Sequence, residues 1–241
     1  MEIVLLVLTV ALEFVFVPLF LKAAWPKKNK KSLVLKMICA TLFVCMGFLA
    51  AKISGNTSDF AKLVILGLIF GWLGDFFLHV SEKSFCFLIG LLSFLGGHIF
   101  YICAYSRAIS NYFPGTNFFA PAEAAAFALI FGGAVIYAVV QKMRLGAALI
   151  PVSVYTAVLA LMFVKAASLG LRIAFRPGTV QLPILVCLML MAGAFLFMTS
   201  DALLAAILFN GQKKNRAMKI VNIVTYFTAQ ALLACTLLLV K

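Results

Sequence analysis

Three of the seven acidic residues in this 241-residue chain, Glu13, Asp75 and Asp201, fall inside long apolar runs. A charge at mid-bilayer costs at least ~2.5–3.5 kcal/mol even on the lenient insertion scale, so an acid kept there is a functional candidate by default. Glu2, Asp59 and Glu82 lie in loops or at a terminus, and Glu123 lies at the edge of a run. Buried carboxyls of this kind can share acid–base work, carry protons in transport, or tie helices together by hydrogen bonds. Gly67, Gly71, Asp75 and His79 recur every four residues and so share one helical face. With Gly74 beside the acid, that face packs on other helices rather than lipid. Asp201 has Ala194 and Ala205 on its side of a helix, so both aspartates point inward. Glu13 has no small-residue face and reads as structural.

The elements that position these acids follow from composition. The chain is 65% hydrophobic and 11% charged, with a mean hydropathy of +1.15. Soluble chains are about 45–50% apolar and about 25% charged, which excludes a soluble enzyme, a disordered chain and a secreted disulfide scaffold. An apolar span takes ~20 residues. Eight runs of that order occur, at about 3–24, 33–51, 63–80, 85–105, 122–140, 146–166, 183–209 and 220–240. They are too long and too uniformly apolar for barrel strands. The expectation is an all-α polytopic membrane protein, an eight-transmembrane-helix bundle forming a single domain over residues 1–241, with no soluble domain. The first run lacks a basic leader and is too long for a signal peptide, so it reads as the first span.

Loop charges set the orientation. Of twenty Lys and Arg, thirteen lie in or beside the loops after spans one, three, five and seven. The other seven are Lys52, Lys62, Arg107, Lys165, Arg172, Arg176 and Lys241. The odd loops should therefore face the cytoplasm and both termini the outside, in an inner membrane if the source is bacterial. The net charge of +13 is explained by anionic lipid headgroups, and no basic face with interleaved aromatics suggests nucleic acid.

Depth brings the two aspartates together. Asp75 is five residues from the cytoplasmic end of its span and Asp201 eight from the end of its own, roughly 8 and 12 Å below the surface. Span eight enters from the same side with Lys219, Asn222, Tyr226 and Gln230 as a polar stripe, and Lys36 lies at that level on span two. One polar pocket opening toward the cytoplasmic leaflet would account for all of them. His98 carries Tyr101 and Tyr105 on its face and could be a packing or a site residue; His79 reads as interfacial. Gly96-Gly97 and Gly132-Gly133 read as close helix contacts.

Other chemistries fit poorly. The six cysteines form no CxxC pair and read as buried thiols. Two histidines at different depths make no metal site, and no cofactor is implied. Ser200 and Asp201 are adjacent in a helix and do not face each other, which weakens a serine hydrolase.

The strings Gly74-Asp75, His98-Ile99-Phe100-Tyr101, Pro151-Val152-Ser153-Val154-Tyr155, Phe197-Met198-Thr199-Ser200-Asp201 and Thr225-Tyr226-Phe227-Thr228-Ala229-Gln230, in that order over roughly 30–235, resemble the YhhN family of integral-membrane lysoplasmalogenases. Lys36 falls where that family carries a lysine at the start of its second span. The resemblance implies a hydrolase that cleaves the vinyl ether of a lysophospholipid, releasing a fatty aldehyde and a glycerophospho-ethanolamine or -choline. Such cleavage needs a carboxylic acid still protonated near neutral pH, which low-dielectric surroundings favour, and a second group that stays ionised. Asp75 and Asp201 are the expected pair. Depth slightly favours Asp201 as the acid without deciding it. Tyr226, Gln230, His98, Tyr101, Tyr155 and Ser200 are expected near substrate or carboxylates, and Lys36 near the lipid phosphate. The competing readings are a different lipid-modifying hydrolase on the same scaffold and a proton-coupled small-molecule transporter.

Overall fold

The computed structural model describes residues 1–241 except 27, 82, 177 and 212–214. Lys27, Glu82, Pro177, Gln212, Lys213 and Lys214, used above as loop punctuation or loop charge, lie outside the described residues.

Among the described residues eight α-helices follow one another: α1 Glu2–Ala23, α2 Lys30–Ser54, α3 Asp59–Val80, α4 Ser84–Tyr112, α5 Pro121–Val140, α6 Leu149–Ala174, α7 Pro183–Phe209 and α8 Arg216–Cys235. Short 3₁₀ turns precede α6 and follow α8. All eight are long and apolar enough to cross a membrane, and no soluble domain is evident. This is a multi-pass integral membrane protein.

Local sequence starts and stops these helices. Asn29 and Ser32 form a capping box at the head of α2, while Ser58 and Asn215 accept from Ala61 N and Met218 N to cap α3 and α8. Pro121 and Pro183 open α5 and α7, where a missing N–H costs nothing. Gly55, at φ 62, closes α2 in the left-handed region.

Two helices outrun their apolar stretch. α4 continues to Tyr112 rather than stopping near 105, and α6 to Ala174 rather than near 166. Arg107, Asn111 and Arg172 are thus helical residues. Hydropathy ends where polar side chains begin, but backbone hydrogen bonding does not.

α8 is the most enclosed helix and packs against α1, α2, α3 and α7, whereas α5 leans on α6 at the periphery. The outer surface is apolar, with Phe14, Phe85, Leu129 and Val139 exposed to what would be lipid. Lipid tails are as apolar as leucine, so helix association relies on close packing and internal polar contacts. α3 supplies the closest packing. A Cβ on Gly67, Gly71 or Gly74 would lie 2.5, 2.6 or 2.5 Å from the Tyr101 ring, the Gln230 amide or the Phe94 ring. Gly97 meets Gly67 O, which would be 3.1 Å from an added Cβ. Gly132 and Gly133, expected at a helix contact, have nothing within 4 Å of an added Cβ; they lie on the sparsely packed α5, so the expectation is corrected there.

Candidate active site

α2 and α3 run antiparallel, and polar residues four apart on each form two rungs. Ser32 Oγ lies 2.8 Å from His79 Nε2, and one turn deeper Lys36 Nζ lies 2.8 Å from Asp75 Oδ1. Both members of the ion pair are buried. Deletion of one partner of such a pair leaves an uncompensated charge and costs about 3–5 kcal/mol.

The second oxygen of Asp75 receives a row of donors. Tyr226 Oη donates to Asp75 Oδ2 at 2.9 Å. Gln230 Nε2 donates to Tyr226 Oη at 3.2 Å, and Tyr101 Oη donates to Gln230 Oε1 at 2.9 Å. Tyr226 and Gln230 are one turn apart on α8, and the absence of a side chain at Gly71 leaves room for the Gln230 amide. Asp75 accepts at both oxygens and donates at neither, the arrangement of an ionised carboxylate.

Asp201 belongs to a second cluster, built by α4, α6 and α7. Tyr155 Oη donates a short hydrogen bond to Asp201 Oδ2. His98 Nε2 lies 2.9 Å from Tyr155 Oη and 3.7 Å from Asp201 Oδ2. Since the phenol proton is directed at Asp201, the Nε2–H tautomer of His98 satisfies the contact, leaving Nδ1 without a partner among the described residues. Among the described residues Asp201 Oδ1 accepts no hydrogen bond.

Phe94 and Phe197 stand between the clusters. Their rings meet Tyr226 edge-on at 5.8 and 5.4 Å between centroids, and Phe197 meets His98 at 4.7 Å. In place of one open polar pocket there are two buried clusters, because large aromatics rather than water fill the space between them.

Among the described residues the Asp201 cluster borders a cavity. A space of about 130 Å³ lies among α3, α4, α5, α6 and α7, lined by apolar residues such as Leu91, Phe94, Leu159 and Met198 and by Tyr155 and Asp201. Its far end reaches Leu78, Phe87, Met143 and Phe209, at the end of the bundle carrying the loops after α3, α5 and α7. Asp75 is not in its wall.

The remaining expected residues fall elsewhere. Ser200 is 1% exposed and ties α7 to α8, donating to Asn222 O at 3.0 Å and accepting from Asn222 Nδ2 at 2.9 Å. Lys219 lies over the Trp25 ring at 5.1 Å. Lys36, expected near a lipid phosphate, is held by Asp75 inside the bundle. Glu13 is buried, and its Oε1 has no hydrogen-bond partner among the described residues.

Sequence reading missed one polar pair. Lys165, counted above as an outer-side loop charge, is 1% exposed and pairs with Glu123 Oε2 at 2.7 Å, while also donating to Phe118 O and lying over the Phe118 ring at 4.5 Å. This pins the head of α5 to α6. A lysine within an apolar run and an acid at the edge of the preceding one were the available signal.

The YhhN family model matches residues 32–237. Comparisons with curated proteins and with solved structures give no match. With the family match spanning α2 through α8 and every side chain of both clusters, the chain belongs to the YhhN family.

Proposed function

We propose that this protein is a lysoplasmalogenase-type membrane hydrolase that cleaves the vinyl ether of a single-chain phospholipid by carboxylic-acid catalysis. Family membership supports the reaction class. The observation that carries the reading to a site is Asp201, the one acid among the described residues that line a mostly apolar cavity, with one oxygen held by Tyr155 and the other open.

In this scheme the open Asp201 oxygen carries a proton and delivers it to the β-carbon of the enol ether. The π electrons form the new C–H bond, and an oxygen lone pair on the ether makes the oxocarbenium ion. Water adds to the cationic carbon and returns a proton to Asp201. The hemiacetal then expels the glycerol oxygen as its alcohol and leaves the aldehyde. General acid catalysis of this kind contributes roughly 10²–10⁴ in rate. Tyr155 and His98 fix the carboxyl's orientation. Asp75, kept ionised by Lys36 and by the Tyr226 hydrogen bond, is the second carboxylate of this scheme, behind the Phe94–Phe197 partition.

The test is turnover of lysoplasmalogen in D₂O, with the aldehyde trapped as it forms. One deuterium at carbon 2 of the aldehyde, and no oxygen from labelled water in the glycerol product, is the expected result. Fatty acid released from the matching acyl lysolipid with no aldehyde from the vinyl ether would assign a different hydrolase. Flux in proteoliposomes without either product would make it a transporter.

A further inference from the structure

Cationic and inward-facing side chains alternate along residues 141–145, just after α5. Gln141, Met143 and Leu145 are half-buried, while Lys142 and Arg144 are exposed. Met143 and Leu145 line the cavity that holds Asp201, so the two cations stand at its rim. The segment is held in place. Arg144 N donates to Phe209 O at 3.0 Å and Met143 N to Ala138 O at 3.1 Å. Asn210 Nδ2 donates to Gln141 Oε1 at 3.2 Å. Lys142 itself has φ 51, a left-handed conformation that side-chain-bearing residues seldom adopt and that recurs at ligand clamps.

We propose that Lys142 and Arg144 clamp the phosphate of the lipid whose ether bond reaches Asp201, an inference that rests on the proposed role of that acid. The spacing suits it. The bond to Phe209 O sets Arg144 level with the end of α7, and Asp201 lies eight residues earlier on that helix, about 12 Å deeper. From phosphorus to the ether oxygen on glycerol is five bonds, about 7 Å extended, and a charge-assisted N–O contact adds about 3 Å. Four other cations near this end are engaged. Lys36 is ion-paired with Asp75, Lys28 donates to Leu78 O, and Arg216 and Lys219 lie over Trp25.

The test is lipid binding by the full-length protein in detergent, using two uncleavable probes of equal chain length: a 1-O-alkyl lysophosphatidylcholine and the phosphate-free 1-O-alkylglycerol. The ratio of their affinities is expected to fall about tenfold in Lys142→Gln/Arg144→Gln and to stay at the wild-type value in Lys30→Gln/Lys31→Gln, which removes two exposed cations from the head of α2. An unchanged ratio in the first variant, or an equal fall in both, overturns the clamp. So does displacement of the phospholipid by millimolar inorganic phosphate, which would make this a free-anion site. Wild-type turnover of lysoplasmalogen is measured in parallel. No aldehyde together with the expected ratios removes the Asp201 reading and leaves the clamp, whereas aldehyde with unchanged ratios does the reverse.

Discussion

Lys36 and Asp75 meet at 2.8 Å inside the bundle, one helical turn below the 2.8 Å contact between Ser32 and His79. The pair therefore does two things: it sets the register of α2 on α3, and it fixes a negative charge behind the aromatic partition.

These roles separate by mutation. Lys36→Met and Asp75→Asn each strand one member of the pair and are expected to destabilise by about 3–5 kcal/mol, read as a lowered thermal midpoint in detergent. The double variant should recover most of that stability and none of the aldehyde-releasing activity. Recovery of both would reduce the pair to helix registry.

Asp201 faces the cavity at the edge of its cluster, so its amide variant should fold. Asp201→Asn is expected to lose roughly 10²–10⁴ in turnover at a near-wild-type midpoint. Tyr155→Phe keeps the ring and removes the bond that orients the carboxyl, and should lose about tenfold. Wild-type kcat in Tyr155→Phe would remove the phenol from the mechanism.

The glycines of α3 offer a graded comparison. An alanine at Gly71 meets the far end of Gln230, which can swing aside, whereas one at Gly67 meets the buried Tyr101 ring at 2.5 Å. Overpacking costs about 1–3 kcal/mol, and Gly67→Ala is expected at the upper end. Gly71→Ala should instead show its effect in turnover, by breaking the Gln230–Tyr226 bond. Midpoints in the opposite order would contradict this packing.

At the far end of the molecule, Lys165→Ala should destabilise by about 3–5 kcal/mol through the stranded Glu123 carboxylate. Turnover per folded molecule should be unchanged, because neither residue borders the cavity. Replacing both by apolar residues, Glu123→Leu/Lys165→Met, should restore much of the midpoint.

Hydropathy made the eight helices legible because a bilayer demands continuous apolar length, and it stopped short where α4 and α6 outrun that length and carry Arg107 and Arg172 as helical residues. The interval-of-four pattern at Gly67, Gly71, Asp75 and His79 likewise placed one face correctly, since it depends on a single helix. Pairings across helices were less accessible. That Tyr226 serves Asp75 while Tyr155 serves Asp201 depends on the rotation of α8 and the docking of α6 on α7, which no local period records. Ser200 shows the same limit: its neighbour enters the cavity wall, while Ser200 itself turns about 100° away toward Asn222.

The row from Tyr101 through Gln230 and Tyr226 to Asp75 has every donor pointing the same way and begins at Tyr101, whose ring stacks on that of Tyr105 at 6.3 Å without a hydrogen bond between them. Such a row is a dead end for protons, since relaying one would require each link to reverse and would find no exit beyond the last phenol. Asp75 is thereby closed off on its Oδ2 side, and the proposed function accordingly assigns proton exchange with solvent to Asp201 and the mouth of its cavity.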